Sequence, residues 1–197
     1  RYHDAAKSYN TFIAQYPLHK RSPHFSMRVI EIYETGRFPQ LVLDSKKAFA
    51  SNYGLSAEYW RHFDVNESPE VLSYLKSNLK DLANHFHAQY QDKGAADRKS
   101  ANYAEAARWY EQYIASFRDD AGTPAINYQL ADLKLENQDF AGAAREYERT
   151  AYDYVKHDRA AAAGYAAVFA HREHLKVVAE STKLTARRDT VTSSLRF

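Results

Sequence analysis

Gln138-Asp139-Phe140-Ala141-Gly142-Ala143-Ala144-Arg145-Glu146-Tyr147 is the stretch whose reading decides the fold. An aromatic residue, Phe140, is followed three positions on by the small Ala143 and four further by Tyr147. At helical pitch those offsets put all three residues on one face, with the small side chain between two large ones. The same design stands in Asn102-Tyr103-Ala104-Glu105-Ala106-Ala107-Arg108-Trp109-Tyr110, where Tyr103, Ala106 and Tyr110 share a face. Two further copies start at Tyr2 (with Ala5 and Tyr9) and at Phe38 (with Leu41, and Ser45 in place of the second aromatic). The aromatic starts are separated by 36, 65 and 37 residues, two intervals of one repeat and one of a repeat plus an insertion.

Proline punctuates the segments between these copies. Ser22-Pro23, Ser68-Pro69 and Thr123-Pro124 each precede an apolar pattern of helical period. A hydroxyl residue at the N-cap with Pro at the first helical position is a start signal. The spans predict one set of helices, first in each pair, at about 23–35, 69–90, 124–137 and 159–175. The partner set falls at about 2–16, 38–52, 102–117 and 139–154, with a last helix at about 183–197 and a short one within Ser56 to Phe63. In the long third unit, Leu72, Leu75, Leu79, Leu82 and Phe86 alternate by three and four, and the polar Gln91 to Asn102 reads as a solvated loop.

Both quoted strings resemble the second helix of a tetratricopeptide repeat, with Pro17 at the position of that family's closing proline and Gly36 at its inter-helix glycine. The family period is about 34 residues. First helices of the family carry a Leu-Gly-x-x-Tyr core, which Leu130-Ala131-Asp132-Leu133-Lys134 and Arg28-Val29-Ile30-Glu31-Ile32 match in part. The resemblance implies an all-α solenoid of about five antiparallel helix pairs, in units 1–17, 22–53, 68–117 with the insertion 91–102, 123–154 and 158–197. The aromatic-Pro end Gln15-Tyr16-Pro17 is similar to tetratricopeptide lipoproteins and periplasmic adaptors of Gram-negative envelopes, which implies a periplasmic or outer-membrane-associated protein. Tyr2 already holds the start of a second helix and no stop signal follows Lys183 to Phe197, so both ends are expected to be cuts through a longer array. Half-repeats expose apolar faces, so self-association through Tyr9, Phe12 or Leu195 surfaces is expected.

Composition fits a thin core with much surface: 16 Tyr and 10 Phe stand against 2 Trp and 1 Met. Tyrosine suits half-buried places, ring packed and hydroxyl in water. A net charge of +2 without a basic block argues against sequence-independent nucleic-acid binding. Stacking of bases on tyrosines is a weaker reading than inter-helix packing, because Tyr9, Tyr110 and Tyr147 recur at equivalent places. Cysteine is absent, which removes disulfides and thiolate chemistry, and no run is long and apolar enough to span a bilayer.

No catalytic motif emerges. His85 and His87 lie about 200° apart on a helix and cannot share one ion. His171 and His174 share a side of theirs, but no His-Glu-x-x-His pattern and no Gly-x-Ser-x-Gly elbow occurs, so no metal, cofactor or catalytic residue is expected. The tetratricopeptide resemblance implies instead that the first helices line a concave groove gripping a partner peptide or protein. Shifting by 37 residues aligns Tyr128 with Tyr165, Asp132 with Phe169 and Leu135 with Arg172, and in the earlier unit the track runs near Ser26, Ile30 and Tyr33. Tyr33, Tyr128, Asp132, Tyr165 and Arg172 are the partner-contact candidates, packing against the next repeat being the competing role for the tyrosines. The expected function is a non-catalytic interaction scaffold; the alternative is the helical arm of a peptidoglycan-cleaving envelope enzyme whose catalytic domain lies outside residues 1–197.

Overall fold

Where each helix begins and how it is tied to the one before sets the architecture. A computed structural model describes residues 1–197 as nine α-helices joined by short connections, some of them 3-10 turns, with no strand. In order they are α1 (Tyr2–Gln15), α2 (Ser22–Thr35), α3 (Pro39–Tyr53), α4 (Pro69–Gln91), α5 (Lys99–Ser116), α6 (Thr123–Glu136), α7 (Phe140–Tyr152), α8 (Ala160–Val177) and α9 (Lys183–Arg196). The chain divides into two compact units, Arg1–Leu82 and Ala83–Phe197, the division falling inside α4. No helix is long and apolar enough to cross a membrane.

In the first unit, α1 packs on α2 and α2 on α3. The Phe25 ring of α2 lies 5.2 Å from Tyr9 and 5.0 Å from Phe12, so these two aromatics, expected as a free pairing surface, are engaged within the unit. Ala6, Val29 and Tyr33 form a core with Phe38, Leu41 and Val42 against it. The first turns of α4 join through Phe49 and Tyr74, 5.0 Å apart, and through the Asn78 side-chain amide, which donates to the Lys46 carbonyl at 2.9 Å. The short helix expected within Ser56 to Phe63 is a single 3-10 turn, Glu58–Arg61.

In the second unit each helix from α5 to α9 packs on its successor. Its centre is lined by methyl groups: Ala131 of α6, Ala143 and Ala144 of α7, and Ala167 and Ala170 of α8 are all fully buried around Tyr147. The equivalent Ala106 and Tyr110 of α5 are also fully buried. Along α4, which the division crosses, Leu75, Leu79 and Leu82 of the first unit and Phe86 of the second are buried as their spacing predicts, while Leu72 is half-buried. The stretch 91–102 is solvated as expected, exposed at all but Ala95 and Asn102, but it is not an irregular loop. A 3-10 turn (Lys93–Arg98) and an early start of α5 take it up, because the Asp92 carboxylate caps the Gly94 N–H at 2.8 Å and Ala95 and Asn102 are buried. At the other end Leu184, Val191 and Leu195 of α9 are exposed.

The hydroxyl-Pro signal marks all three helix starts: α4 begins at Pro69, directly after Ser68, but at the other two sites the hydroxyl does not act as the expected N-cap. Ser22 and Thr123 are themselves the first helical residues, and no side chain caps α2 or α6. Their hydroxyls instead donate backwards, Ser22 to the Tyr16 carbonyl at 2.7 Å and Thr123 to the Phe117 carbonyl. Each hydroxyl thus adds a second donor to a carbonyl at the end of the preceding helix that already accepts the N–H of His19 or Asp120, and fixes the turn between the two helices. Before α8 the donor is a ring nitrogen, His157 Nε2, 2.8 Å from the Thr150 carbonyl.

The turns that follow α2 and α6 match as well. Arg37 and Gln138 both take left-handed backbone, φ 59° and 62°, and the next residue's N–H bonds back to the carbonyl of Tyr33 or Lys134. Ser22 with Thr123 and Arg37 with Gln138 are each separated by 101 residues, two helix pairs further along the chain. That equivalence corrects the sequence register: Phe38 corresponds to Asp139, not Phe140, so Lys46 stands where α7 has Tyr147, and the missing aromatic of that copy is explained. It also reassigns Gly36. The left-handed residue is Arg37, and Gly36 is needed for space, since a Cβ there would come within 2.5 Å of the Phe38 ring.

Candidate functional site

Two stripes of polar residues face each other in the second unit. The last turns of α4 carry Asn84, His87 and Gln91, and α6 carries Gln129, Asp132 and Glu136. Both sets step by three and then four residues, which keeps each on one helical face. They line an open cleft of about 280 Å³. At its base stands Tyr110 of α5, whose ring is fully buried while its hydroxyl reaches the cleft.

A continuous hydrogen-bonded network joins the three helices. Tyr110 Oη donates to Asn84 Oδ1 at 3.1 Å and lies 3.0 Å from His87 Nδ1. The other ring nitrogen, His87 Nε2, is 3.3 Å from Glu136 Oε2, and the Gln91 amide donates to Glu136 Oε1 at 2.8 Å. Asp132 accepts from the Tyr147 hydroxyl, which is its one hydrogen-bond donor. The Tyr147 ring is stacked edge-on by Tyr128 at 5.2 Å, and the Arg159 guanidinium lies 5.5 Å from the Tyr128 ring centre.

Burial shapes the charge of this cleft. Half-buried Asp132 has its carboxyl pushed above the usual carboxylate range, chiefly by desolvation and further by the neighbouring Glu136, with the Tyr147 hydrogen bond acting in opposition. The Tyr110 and Tyr147 phenols are driven well above their ordinary value, chiefly by burial, so both stay protonated donors. Tyr113, one turn along from Tyr110, is pushed up to about 12 by burial and by Asp120. No three His, Asp or Glu side chains converge as a metal site would require.

Of the five sequence-predicted contact residues, Asp132 and Tyr128 come together around Tyr147, Asp132 on the cleft and Tyr128 half-buried beside it. Tyr165 and Arg172 are exposed on α8, with Phe169 between them in the helical stripe, and Tyr165 lies 6.1 Å from the Phe197 ring. Tyr33 does not lie on the same track. It is 9% exposed within the first unit's core, and the 101-residue equivalence pairs it with Lys134, whereas Asp132 pairs with Glu31. The sequence reading missed Asn84, His87, Gln91, Gln129 and Glu136. The signal that finds them is the identical three-four spacing of polar residues on α4 and α6.

No protein-family model matches this chain, and no curated protein matches it in sequence.

Proposed function

We propose that this chain is a tetratricopeptide-type helical repeat protein, an α-solenoid of antiparallel pairs, that binds a segment of a partner protein and carries out no chemistry of its own. The polar cleft of the second unit is the contact surface, and a bacterial envelope, in the periplasm or at the outer membrane, is the proposed setting. The observation that carries the reading is the cleft itself. Donors and acceptors from α4 and α6 stand in two facing stripes, open to solvent and fixed from below by Tyr110 and Tyr147. Such a preformed surface takes up an extended chain with little ordering cost on the protein's side. The repeat reading is supported by the hydroxyl-to-carbonyl tie and the left-handed turn that both return after 101 residues.

A photo-crosslinking residue placed at Gln129 in the cleft, and separately at exposed Arg145 on α7, tests this in envelope extracts of the native host. The expected result is a discrete protein adduct from position 129 that is absent from position 145. The same adducts at both positions would refute the cleft as the contact surface. Capture of a peptidoglycan fragment in place of a protein would favour the reading of an enzyme's helical arm.

A further inference from the structure

Carboxylates that meet between helices of this protein are bridged by lysine in two places. Lys46 of α3 reaches Glu34 of α2 at 3.4 Å and Asp81 of α4 at 2.8 Å. Lys134 of α6 reaches Glu146 of α7 at 3.1 Å and Glu111 of α5 at 3.9 Å. Both lysine side chains are largely withdrawn from water, 17% and 14% exposed, so each ammonium is committed to its carboxylates.

The cleft between α4 and α6 carries a carboxylate pair of another kind, Asp132 and Glu136, both on α6 and one turn apart; His87 lies 3.3 Å from Glu136, and neither lysine nor arginine lines the cleft. Arg159 acts on Asp132 only through space, its guanidinium being occupied by the Tyr128 ring. Glu136 receives Gln91 and His87, while Asp132 receives Tyr147 alone. An ionised carboxylate has about four acceptor sites, and on Asp132 a protein donor takes one of them. Around the pair stand uncharged groups able to meet a peptide backbone, the carboxamides of Asn84 and Gln129.

We infer that the segment bound in this cleft presents a lysine or arginine side chain, whose cationic head sits between Asp132 and Glu136 as Lys46 and Lys134 sit between their own carboxylates. The inference rests on the reading of the cleft as the partner-binding surface and adds the chemistry of the partner. The complementarity is electrostatic, so it sets specificity and responds to salt.

A phage-displayed library of random dodecapeptides, panned against the folded chain, provides the test. Binders that a bulky label at Gln129 blocks define the cleft-directed set. Lysine plus arginine at one position of that set is expected to rise about threefold or more above the library frequency. The rise is expected to vanish for the double variant Asp132→Asn/Glu136→Gln, and to persist for Glu58→Gln/Glu67→Gln, which removes equal charge from exposed sites of the first unit. Cleft-directed binders without such enrichment would overturn the inference and leave the cleft as a binding surface. Absence of any binder blocked by the label would overturn both. Equal loss of enrichment in the two double variants would reduce the preference to net charge and overturn the inference alone.

Discussion

Replacing Ala143 with Leu probes the contact on which the second unit depends. Ala143 is fully buried on α7, and its neighbours across the interface are themselves alanines, Ala131 of α6 and Ala167 and Ala170 of α8. Helices whose touching side chains are single methyl groups sit at the near end of the usual 8–10 Å interaxial range. Leucine adds three carbon atoms, and none of those neighbours has a torsion with which to move aside. The backbone must yield, so the substitution is expected to cost about 1–3 kcal/mol. For a chain of this length, roughly 2–4 °C of melting temperature is lost per kcal/mol. A fall of about 4–8 °C is therefore the central expectation, read by far-ultraviolet circular dichroism and matched by a lower urea midpoint at unchanged slope. Ala161→Leu, on the exposed side of α8, serves as the control and should stay within about 0.5 kcal/mol of the parent. An unchanged midpoint for Ala143→Leu would refute the close approach of α6, α7 and α8 and with it the register of the repeat.

Three further outcomes are expected. Thr123→Val keeps the shape of a fully buried residue but removes the bond to the Phe117 carbonyl, and should cost about 0.5–1.5 kcal/mol in urea denaturation, one hydrogen bond, because that carbonyl keeps the Asp120 N–H as a donor; a neutral result would mean the tie is unimportant. Gln138→Gly relieves a left-handed backbone held by a residue with a side chain, so the variant should be no less stable than the parent, and a clear loss in melting temperature would count against that conformation. Asp132→Asn retains an acceptor for Tyr147 and removes a charge whose folded-state pKa is raised. The stability that Asp132 lends is therefore complete below the ordinary carboxylate range and lost as pH rises through the folded value. The Asn variant should gain stability over the parent at pH 7, with the gain shrinking toward pH 4, and a gain independent of pH would contradict the burial cost.

Helix positions were legible in the sequence because each depends on local pattern. The three-four alternation from Leu72 to Phe86 and the prolines at 23, 69 and 124 act within a few residues, and the observed helices begin or end within a few residues of the spans they predict. The function of the turn hydroxyls was not legible. A Ser or Thr before Pro looks the same whether it caps its own helix or ties back to the previous one, and only the path of the connecting turn decides. Register failed at one place for a related reason. Phe38 and Phe140 are both aromatic residues near helix starts, but Arg37 and Gln138 are the residues with left-handed backbone, a property that side-chain identity does not announce when neither is glycine.

The cleft was half legible, and the division follows from what kind of contact each residue makes. Asp132 was found because it lies on a helix with a repeat partner, so a shift by one period exposes it. His87 and Glu136 come from helices whose sequences are 49 residues apart, and nothing in either segment requires them to meet. Their meeting depends on Tyr110, which the sequence marks as a core aromatic and which is one: the ring is fully buried. Its hydroxyl, however, must find a partner once the ring is packed, because a buried phenol without one costs far more than a satisfied one gains. Packing of these rings therefore brings the Tyr110 and Tyr147 hydroxyls out between helices, and polar residues must gather there to receive them. Tyr110 collects Asn84 and His87, and Tyr147 collects Asp132. On this view the packing position shared by Tyr110 and Tyr147, 37 residues apart, also fixes where polar groups accumulate, and Tyr110→Phe should loosen the cleft more than the core. The expected sign is faster amide exchange over residues 84–91 with a nearly unchanged melting temperature; slowed or unaltered exchange there would separate the cleft from the repeat's packing.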